Sequence, residues 1–371
     1  MNSQKKLVDL IDLRIKSFLE SRADEMEYIS QDLEHILAYA NSMLGSGKRF
    51  RGRFCFWGWK AIPTDDDSDP LAEKPSIDFD SDIIALAASL EVFHAAALVH
   101  DDIMDSSDTR RGLPAAHKAF EELHRGRSYS GDSEHFGIST SLLLGDLLLA
   151  WSDDLLSEAV ANLDTTTASA TRAQFSQMRQ EVTLGQYLDI HEEAAWLTVE
   201  EKERLERALR VVTYKSAKYS MEAPLLIGAS LAGANERGLA ELSAFGLPLG
   251  IAFQLRDDVL GVFGDSEVTG KPSGDDLREG KRTVLIERAE AQMPQVARNV
   301  FDELLGNRSL SPQQIEMMQK TLEETGALNE VERMIKQYGE KAMEALEAST
   351  LTDVSKKELR RLAEAVTQRT S

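Results

Sequence analysis

The stretch SDIIALAASLEVFHAAALVHDDIMD, residues 81–105, decides how the chain folds. Its apolar residues recur at spacings of three and four, and no proline or glycine interrupts them. That is the period of a helix, and the run is too long for a strand. A helix so apolar belongs in a core. It ends in Asp101, Asp102 and Asp105. Asp101 and Asp105 stand four apart, so their carboxylates share one face, with Cβ atoms about 6 Å apart. Like charges placed so close destabilise a helix unless something cationic lies between them.

The helical period continues outward from this stretch. Residues 138–162, 174–195, 200–232, 236–262 and 329–348 carry the same spacing, and 7–44 reads as one or two further helices. Strictly alternating runs are absent. The breaks fall at 62–80, which is polar with three prolines, at 106–137, at the glycine-rich 264–283, and at 307–312. None is long enough for a convincing interdomain linker. An all-α fold is expected, with residues 1–371 as one large helical domain. The segment 106–137 holds a basic run and then RGRSYSGDSEHFG (125–137), which is expected to be flexible, and 200–232 is expected to be helical.

Composition narrows the function. With a net charge of −21, the surface repels nucleic acid and anionic lipid, so no nucleic-acid partner is expected. Cys55 is the only cysteine, so no intramolecular disulfide forms, and a cytoplasmic setting is expected. The opening MNSQKKLVDLIDLRIKSF reads as an amphipathic helix rather than a signal peptide. No stretch reads as a transmembrane segment; LLLGDLLLAW (142–151) is short and carries Asp146.

A second acidic cluster, FQLRDDVLGVFGD (253–265), also follows an apolar helix face and holds Asp257 and Asp258. Oxygen-rich sites of this kind suit Mg²⁺, which keeps waters and shares its shell with substrate phosphates. A calcium loop starting at Asp101 does not fit, because Ser106 and Gly112 stand where Gly and Glu are needed. Basic residues gather against the global sign. GSGKRFRGRF (45–54) holds Lys48, Arg49, Arg51 and Arg53; Arg110 and Arg111 follow the first cluster, and Lys271 and Lys281 follow the second. Guanidinium forks suit phosphate oxygens, and glycines let backbone approach an anion. The spacing is not that of a nucleotide P-loop.

In this order the motifs resemble the trans-prenyl diphosphate synthases, and most closely the geranylgeranyl-type enzymes of actinobacteria. The resemblance runs from about residue 40 to about 285 and rests on Gly47-Lys48-Arg49-Phe50-Arg51, His94, Asp101-Asp102-Asp105, the Arg110–Arg111 pair, Gly185-Gln186 with Asp189, Lys215-Ser216, and Phe253-Gln254 with Asp257-Asp258. Ser216 stands where the family has Thr. Gly52 replaces the usual Pro, which is expected to alter loop stiffness only. Gly261 replaces a common third Asp, which removes one carboxylate from the second cluster and costs about 1 kcal/mol relative to Ala in a helix.

The resemblance implies an isoprenoid-synthase bundle with a central apolar cavity. It also implies condensation of isopentenyl diphosphate with an allylic diphosphate, with two diphosphate substrates, Mg²⁺ as three ions, and a second copy of the chain in a homodimer. It assigns the metal to Asp101, Asp105 and Asp257, with Asp102 and Asp258 in support. Arg110, Lys215, Lys271 and Lys281 are then placed at the allylic diphosphate, and Lys48, Arg51, His94 and Arg111 at isopentenyl diphosphate. Ser216, Gln186 and Gln254 offer oxygens to a passing cation. Product length is expected to be set on the helix before Asp101. Ala96 and Ala97 block nothing there, and Phe93, a further turn of about 5.4 Å away, is the expected floor. A twenty-carbon product follows, with farnesyl or longer products as the alternatives. A class I terpene cyclase is the other enzyme reading, disfavoured because a second Asp pair and the GKRFR motif are present. A non-catalytic regulatory subunit is disfavoured because both clusters keep their first two aspartates.

Overall fold

The computed structural model describes residues 3–45, 47–63, 77–264 and 273–367. The chain forms two compact units, Met1–Arg172 with Ile227–Ala234, and Ala173–Leu226 with Asn235–Ser371. Both are built from helices; the described strands are two residues each.

The first unit carries α1 (Ser3–Ile29), α2 (Glu34–Leu44), α3 (Phe50–Ala61), α4 (Asp82–Met104), α5 (Ala116–Gly126) and α6 (Ser133–Val160). Helix α4 is the stretch quoted at the outset. It packs mainly along α6 and also against α1 and α3. Ser152 Oγ of α6 donates to the Ser89 carbonyl of α4 at 2.9 Å. Ile84, Leu86, Leu90 and Val92 are fully buried, with Leu144, Leu148 and Leu155 of α6. Burying such side chains contributes roughly 1.5–3 kcal/mol each, so α4 is a main source of stability in this unit.

The segment after α4 is more ordered than expected. Thr109–Arg110 and Leu113–Pro114 form a two-stranded antiparallel hairpin. Its central residues Arg111 and Gly112 have φ of 55° and 76°. Two positive φ values mark a two-residue turn whose twist suits a tight hairpin. Helix α5 then occupies residues for which no helix was expected, and α6 begins inside the stretch 125–137 that was expected to be flexible. The buried face of α5 includes His117, Glu121 and His124 beside Phe120, and these polar side chains hide the amphipathic pattern. The side chain of Asp132 starts α6 by accepting from the backbone of Glu134 and His135.

Helix α7 (Thr165–Ala195) runs from the first unit into the second. The helical stretch expected over 200–232 consists of α8 (Glu201–Val211), a π-helical stretch Val212–Glu222, and α9 (Ala223–Leu231). The second unit continues with α10 (Glu236–Phe263), α11 (Asp275–Glu279), α12 (Val284–Glu290), α13 (Gln295–Leu304), α14 (Pro312–Glu324), α15 (Ala327–Ala348) and α16 (Asp353–Thr367). The expected turn at 307–312 leads into a capping box, in which Ser311 and Gln314 bond each other's backbone N–H and Pro312 opens α14.

π-Helices are wide and rare, and they occur mostly at functional sites. This one is accommodated by glycines. A Cβ on Gly250 would lie 2.4 Å from the Ala217 carbonyl oxygen, and one on Gly246 would lie 2.9 Å from Glu222 Cα. Pro248 between them offers no N–H to the helix. Helix α10 therefore approaches the π-stretch backbone to backbone.

The expectation that no stretch could span a bilayer needs correction. Asp82–Met104 and Glu236–Phe263 are both long and apolar enough by length and composition. In the first, 78% of the apolar window is buried inside the protein, so that surface already serves the core. Most of the polar loop expected at 62–80, namely 64–76, lies outside the described residues.

Glu222, at the end of the π-stretch, accepts from Ser243 Oγ, and burial pushes its carboxyl above the usual range. In the unfolded chain the same group ionises at about 4.3. Its contribution to stability is therefore lost as pH rises from that value through the raised folded value. Glu222→Gln keeps an acceptor for Ser243 and should flatten this part of the decline. Urea midpoints measured across the acidic range should drop less with rising pH in the variant than in the parent.

Candidate active site

In the first unit the site is built on the end of α4. Asp101 and Asp102 lie in its last turn, and Asp105 caps it, its N–H bonding the Asp101 carbonyl at 2.8 Å. Asp101 is half-buried, whereas Asp102 is 1% exposed. The two differ in role for that reason. Arg110 Nε donates to Asp102 Oδ1 at 2.9 Å, and Arg110 Nη2 stands 3.6 Å from Asp101 Oδ2. The hairpin thus returns a guanidinium to the carboxylates that precede it. Arg110, expected to face a substrate, is first a partner of Asp102.

A basic cluster faces the same helix one to three turns earlier. Arg49 has φ of 49° and caps the start of α3. Its guanidinium is 4% exposed and bonds Asp12 Oδ1 at 2.7 Å and the Leu44 carbonyl. Arg49 is therefore an internal tie. Lys48 is exposed beside it, and Arg51 is half-buried. Gly47, with φ of 155°, leaves a Cβ position 3.4 Å from Arg49 Nη1 and 3.8 Å from Arg111 Nη1. Arg111 reaches the Met43 carbonyl at 3.3 Å. His94 lies among them. Burial, then Arg51, Arg111, Arg110 and Arg49, hold its imidazole well below the usual range, so it is neutral.

Gly52 requires a correction. It does not sit in a loop but in the first turn of α3, and its N–H donates to Glu91 Oε1 at 2.8 Å. A proline there could not donate. A Cβ would also press on Ile11 Cδ1 at 2.9 Å. Gly52 therefore joins the basic motif to α4 rather than tuning stiffness. Glu91, 5% exposed, was missed by sequence reasoning; its one signal is a lone carboxylate in an apolar run. Phe93 and Ala96 are buried and Ala97 is half-buried.

In the second unit the site is built from α7, the π-stretch and α10. Lys215 Nζ pairs with Asp189 Oδ2. This contact depends on Gly185, because a Cβ there would lie 2.4 Å from Lys215 N. Gln186, half-buried on the next position, has a buried Nε2 without a hydrogen-bond partner among the described residues. Ser216 is half-buried on the π-stretch. On α10, Gln254 Nε2 donates to Asp258 Oδ1 at 2.7 Å, so its amide serves a carboxylate. Asp258 is 5% exposed. Burial pushes its carboxyl up to about 8, and the charges of Asp276, Asp257 and Asp189 push the same way. Lys281 Nζ lies 2.8 Å from Glu279 Oε2. Lys271 lies outside the described residues.

These groups fit a hard cation. The donors are carboxylate oxygens, and around Asp258 they repel one another as only a cation or a proton relieves. Among the described residues no three Asp, Glu, His or Cys side chains close into a ready-made cage. Mg²⁺ is usually held by one or two carboxylates together with phosphates of the substrate.

The chain matches the family model described as Polyprenyl synthetase over residues 31–322. It is 32% identical over 278 residues to geranylgeranyl diphosphate synthase of Sulfolobus acidocaldarius, covering 75% of this chain and 77% of the relative. It is also 32% identical to geranylfarnesyl diphosphate synthase of Aeropyrum pernix, over 74% of this chain and 79% of the relative. Among solved structures it is similar to geranylgeranyl pyrophosphate synthase from Corynebacterium glutamicum, complexed with isoprenyl diphosphate and magnesium. That likeness has a TM-score of 0.90 at 37% identity, covering 99% of this chain and 100% of the other.

Removing Arg110 would leave the Asp102 carboxylate buried without its guanidinium. Breaking a buried pair from one side costs about 3–5 kcal/mol. Arg110→Gln should therefore lower the thermal midpoint, and adding Asp102→Asn should recover much of the loss. An unchanged midpoint in Arg110→Gln would show that the pair does not hold the hairpin.

Proposed function

The chain belongs to the polyprenyl synthetase family, and from that premise we propose a magnesium-dependent prenyltransferase that joins isopentenyl diphosphate to dimethylallyl, geranyl and farnesyl diphosphate, with geranylgeranyl diphosphate as the main product. The observation that carries this reading is the field around His94. In a chain of net charge −21, four arginines act on one imidazole. Cations concentrated against the overall sign mark a site for an anion.

Isopentenyl diphosphate is assigned to Lys48, Arg51, His94 and Arg111. The three cations neutralise its charge, and the neutral imidazole adds one directional hydrogen bond. The allylic diphosphate is assigned to the aspartates, with Asp101, Asp105 and Asp257 as the residues that would hold Mg²⁺, three ions in all. Bound there, Mg²⁺ would stabilise negative charge on the departing diphosphate. Asp102 and Asp258 support these ligands, Asp102 by orienting Arg110 and Asp258 through Gln254. Lys215, oriented by Asp189, adds fixed positive charge, as do Arg110, Lys271 and Lys281. The allylic C–O bond breaks with its electron pair leaving on the diphosphate. The double bond of isopentenyl diphosphate then forms the new C–C bond, and a proton passes to the released diphosphate. Ser216 and the amide oxygens of Gln186 and Gln254 face the transient positive charge in this assignment. No side-chain base is required.

Product length is assigned to α4. Phe93, Ala97 and Asp101 follow at intervals of four, which aligns them on one helix face. Phe93 stands about 12 Å along the axis from Asp101. The twenty-carbon assignment uses Phe93 as the floor, with Ala96 and Ala97 leaving the path open. The working form is taken as a homodimer of one catalytic domain spanning 1–371, in the cytoplasm.

The purified protein incubated with Mg²⁺, labelled isopentenyl diphosphate and each allylic primer should yield a longer prenyl diphosphate. No elongation with any primer would overturn the assignment. Asp101→Ala and Asp257→Ala should each lower kcat at least about a hundredfold, as loss of a preorganised charge-stabilising group does. Phe93→Ala should shift the chromatographic product profile to longer chains, and an unchanged profile would move the floor to another residue.

A further inference from the structure

The hairpin that carries Arg110 and Arg111 is too short to hold its own shape. Each strand is two residues long, and Pro114 brings no N–H to the rung it shares with Thr109. An isolated two-stranded hairpin is marginal at best in water. Arg111 adds to the difficulty, because its φ of 55° is uncommon for any residue but glycine. Such strain persists where the surrounding structure over-determines it. The surroundings here are supplied by α2.

Tyr39 and Met43 stand four apart on α2, so they share one face. Tyr39 Oη donates to the Pro114 carbonyl at 3.1 Å, and its ring lies against Phe120 of α5 with centroids 5.5 Å apart. It therefore grips the hairpin where the chain passes into α5. Burial, then the charge of Asp102, push the phenol up to about 12 against the opposing pull of Arg110, so the hydroxyl keeps its proton at neutral pH. One turn further along α2, the Met43 carbonyl accepts from Arg111 Nη1 at 3.3 Å, and the Leu44 carbonyl accepts from Arg49. The last carbonyls of a helix lack intrahelical partners and attract cations. Helix α2 thus holds the hairpin twice, by its second strand and by its tip. The first strand is held on α4, by Arg110 on Asp102.

We propose that Tyr39 is a positioning residue for isopentenyl diphosphate, acting through Arg111. By fixing Pro114 against α2 it sets how far the hairpin tip reaches. The Arg111 guanidinium is thereby kept at the end of α2, beside Gly47 of the basic motif. Arg110 is held separately by Asp102, so the two neighbouring guanidiniums are set independently, one for each diphosphate. This rests on the assignment of isopentenyl diphosphate to Arg111.

The test uses the full chain in steady-state elongation. Isopentenyl diphosphate is varied with Mg²⁺ and the allylic primer saturating, and the roles of the two substrates are then exchanged. Tyr39→Phe keeps the ring on Phe120 and removes only the hydroxyl. It should raise KM for isopentenyl diphosphate roughly two- to tenfold, as loss of one net hydrogen bond does, with kcat and the primer's KM little changed. A merely structural role would lower kcat through lost folded protein and leave both KM values alone. Arg111→Asn removes the guanidinium and keeps a residue that tolerates positive φ, and it is the control for the underlying reading. It should raise the same KM further than Tyr39→Phe does. Adding Tyr39→Phe to it should change that KM little more, because residues that act as one unit are not additive. If Arg111→Asn raises this KM while Tyr39→Phe leaves it at the parent value, the inference fails and the substrate assignment stands. It fails equally if the two effects multiply in full, or if Tyr39→Phe raises both substrates' KM values alike. If Arg111→Asn leaves KM for isopentenyl diphosphate unchanged, the assignment of that substrate is itself wrong, and the inference falls with it.

Discussion

Mutual repulsion between carboxylates is the constraint on which the rest of this structure depends. An acidic chain concentrates aspartates at the ends of its most apolar helices, where water is least able to screen them. Each unit answers with fixed partners. Arg110 closes on Asp102, the Gly52 N–H on Glu91, Lys215 on Asp189, and the Gln254 amide on Asp258. These contacts set which carboxylates are internal and which face a ligand. Asp102 is almost wholly covered while Asp101, its neighbour in the chain, is half-buried. Residual repulsion around Asp258 is what a divalent cation would relieve.

Close backbone approach is the means by which those partners arrive. Gly185 admits the backbone of Lys215, Gly250 admits Ala217, and Gly145 admits the ring of His100, which a Cβ would meet at 2.1 Å. The π-helical stretch has the same consequence. Its extra width places Lys215 and Ser216 differently from a regular helix, and glycines on α10 make room for that width. Asp276 above Gly261 belongs with these cases, since an absent side chain in one element is the seat of a polar group from another.

The motifs around which the site is built were legible because each is local. The GKRFR run, the two Asp pairs and Gln186 with Asp189 are short spacings on single elements, and a helix period turns spacing into a shared face. Helix α5 was not legible, because its buried face mixes His and Glu with Phe. The hairpin at 109–114 was not, because strands of two residues leave no alternation to read. Gly52 looked like a matter of loop stiffness until its N–H was seen on Glu91, a residue far along the chain.

By itself, then, the amino-acid order determined an all-α chain, the two aspartate clusters, the basic motifs that oppose its net charge, and the family they resemble. These are matters of period and short spacing, which a linear sequence contains. Tertiary structure decided which carboxylate is paired and which is presented, that Arg49 is an internal tie, that Lys215 stands on a π-helix, and that Asp276 occupies the space over Gly261. Those outcomes depend on contacts between residues distant in the chain, and no local pattern specifies which distant group will fill a given space.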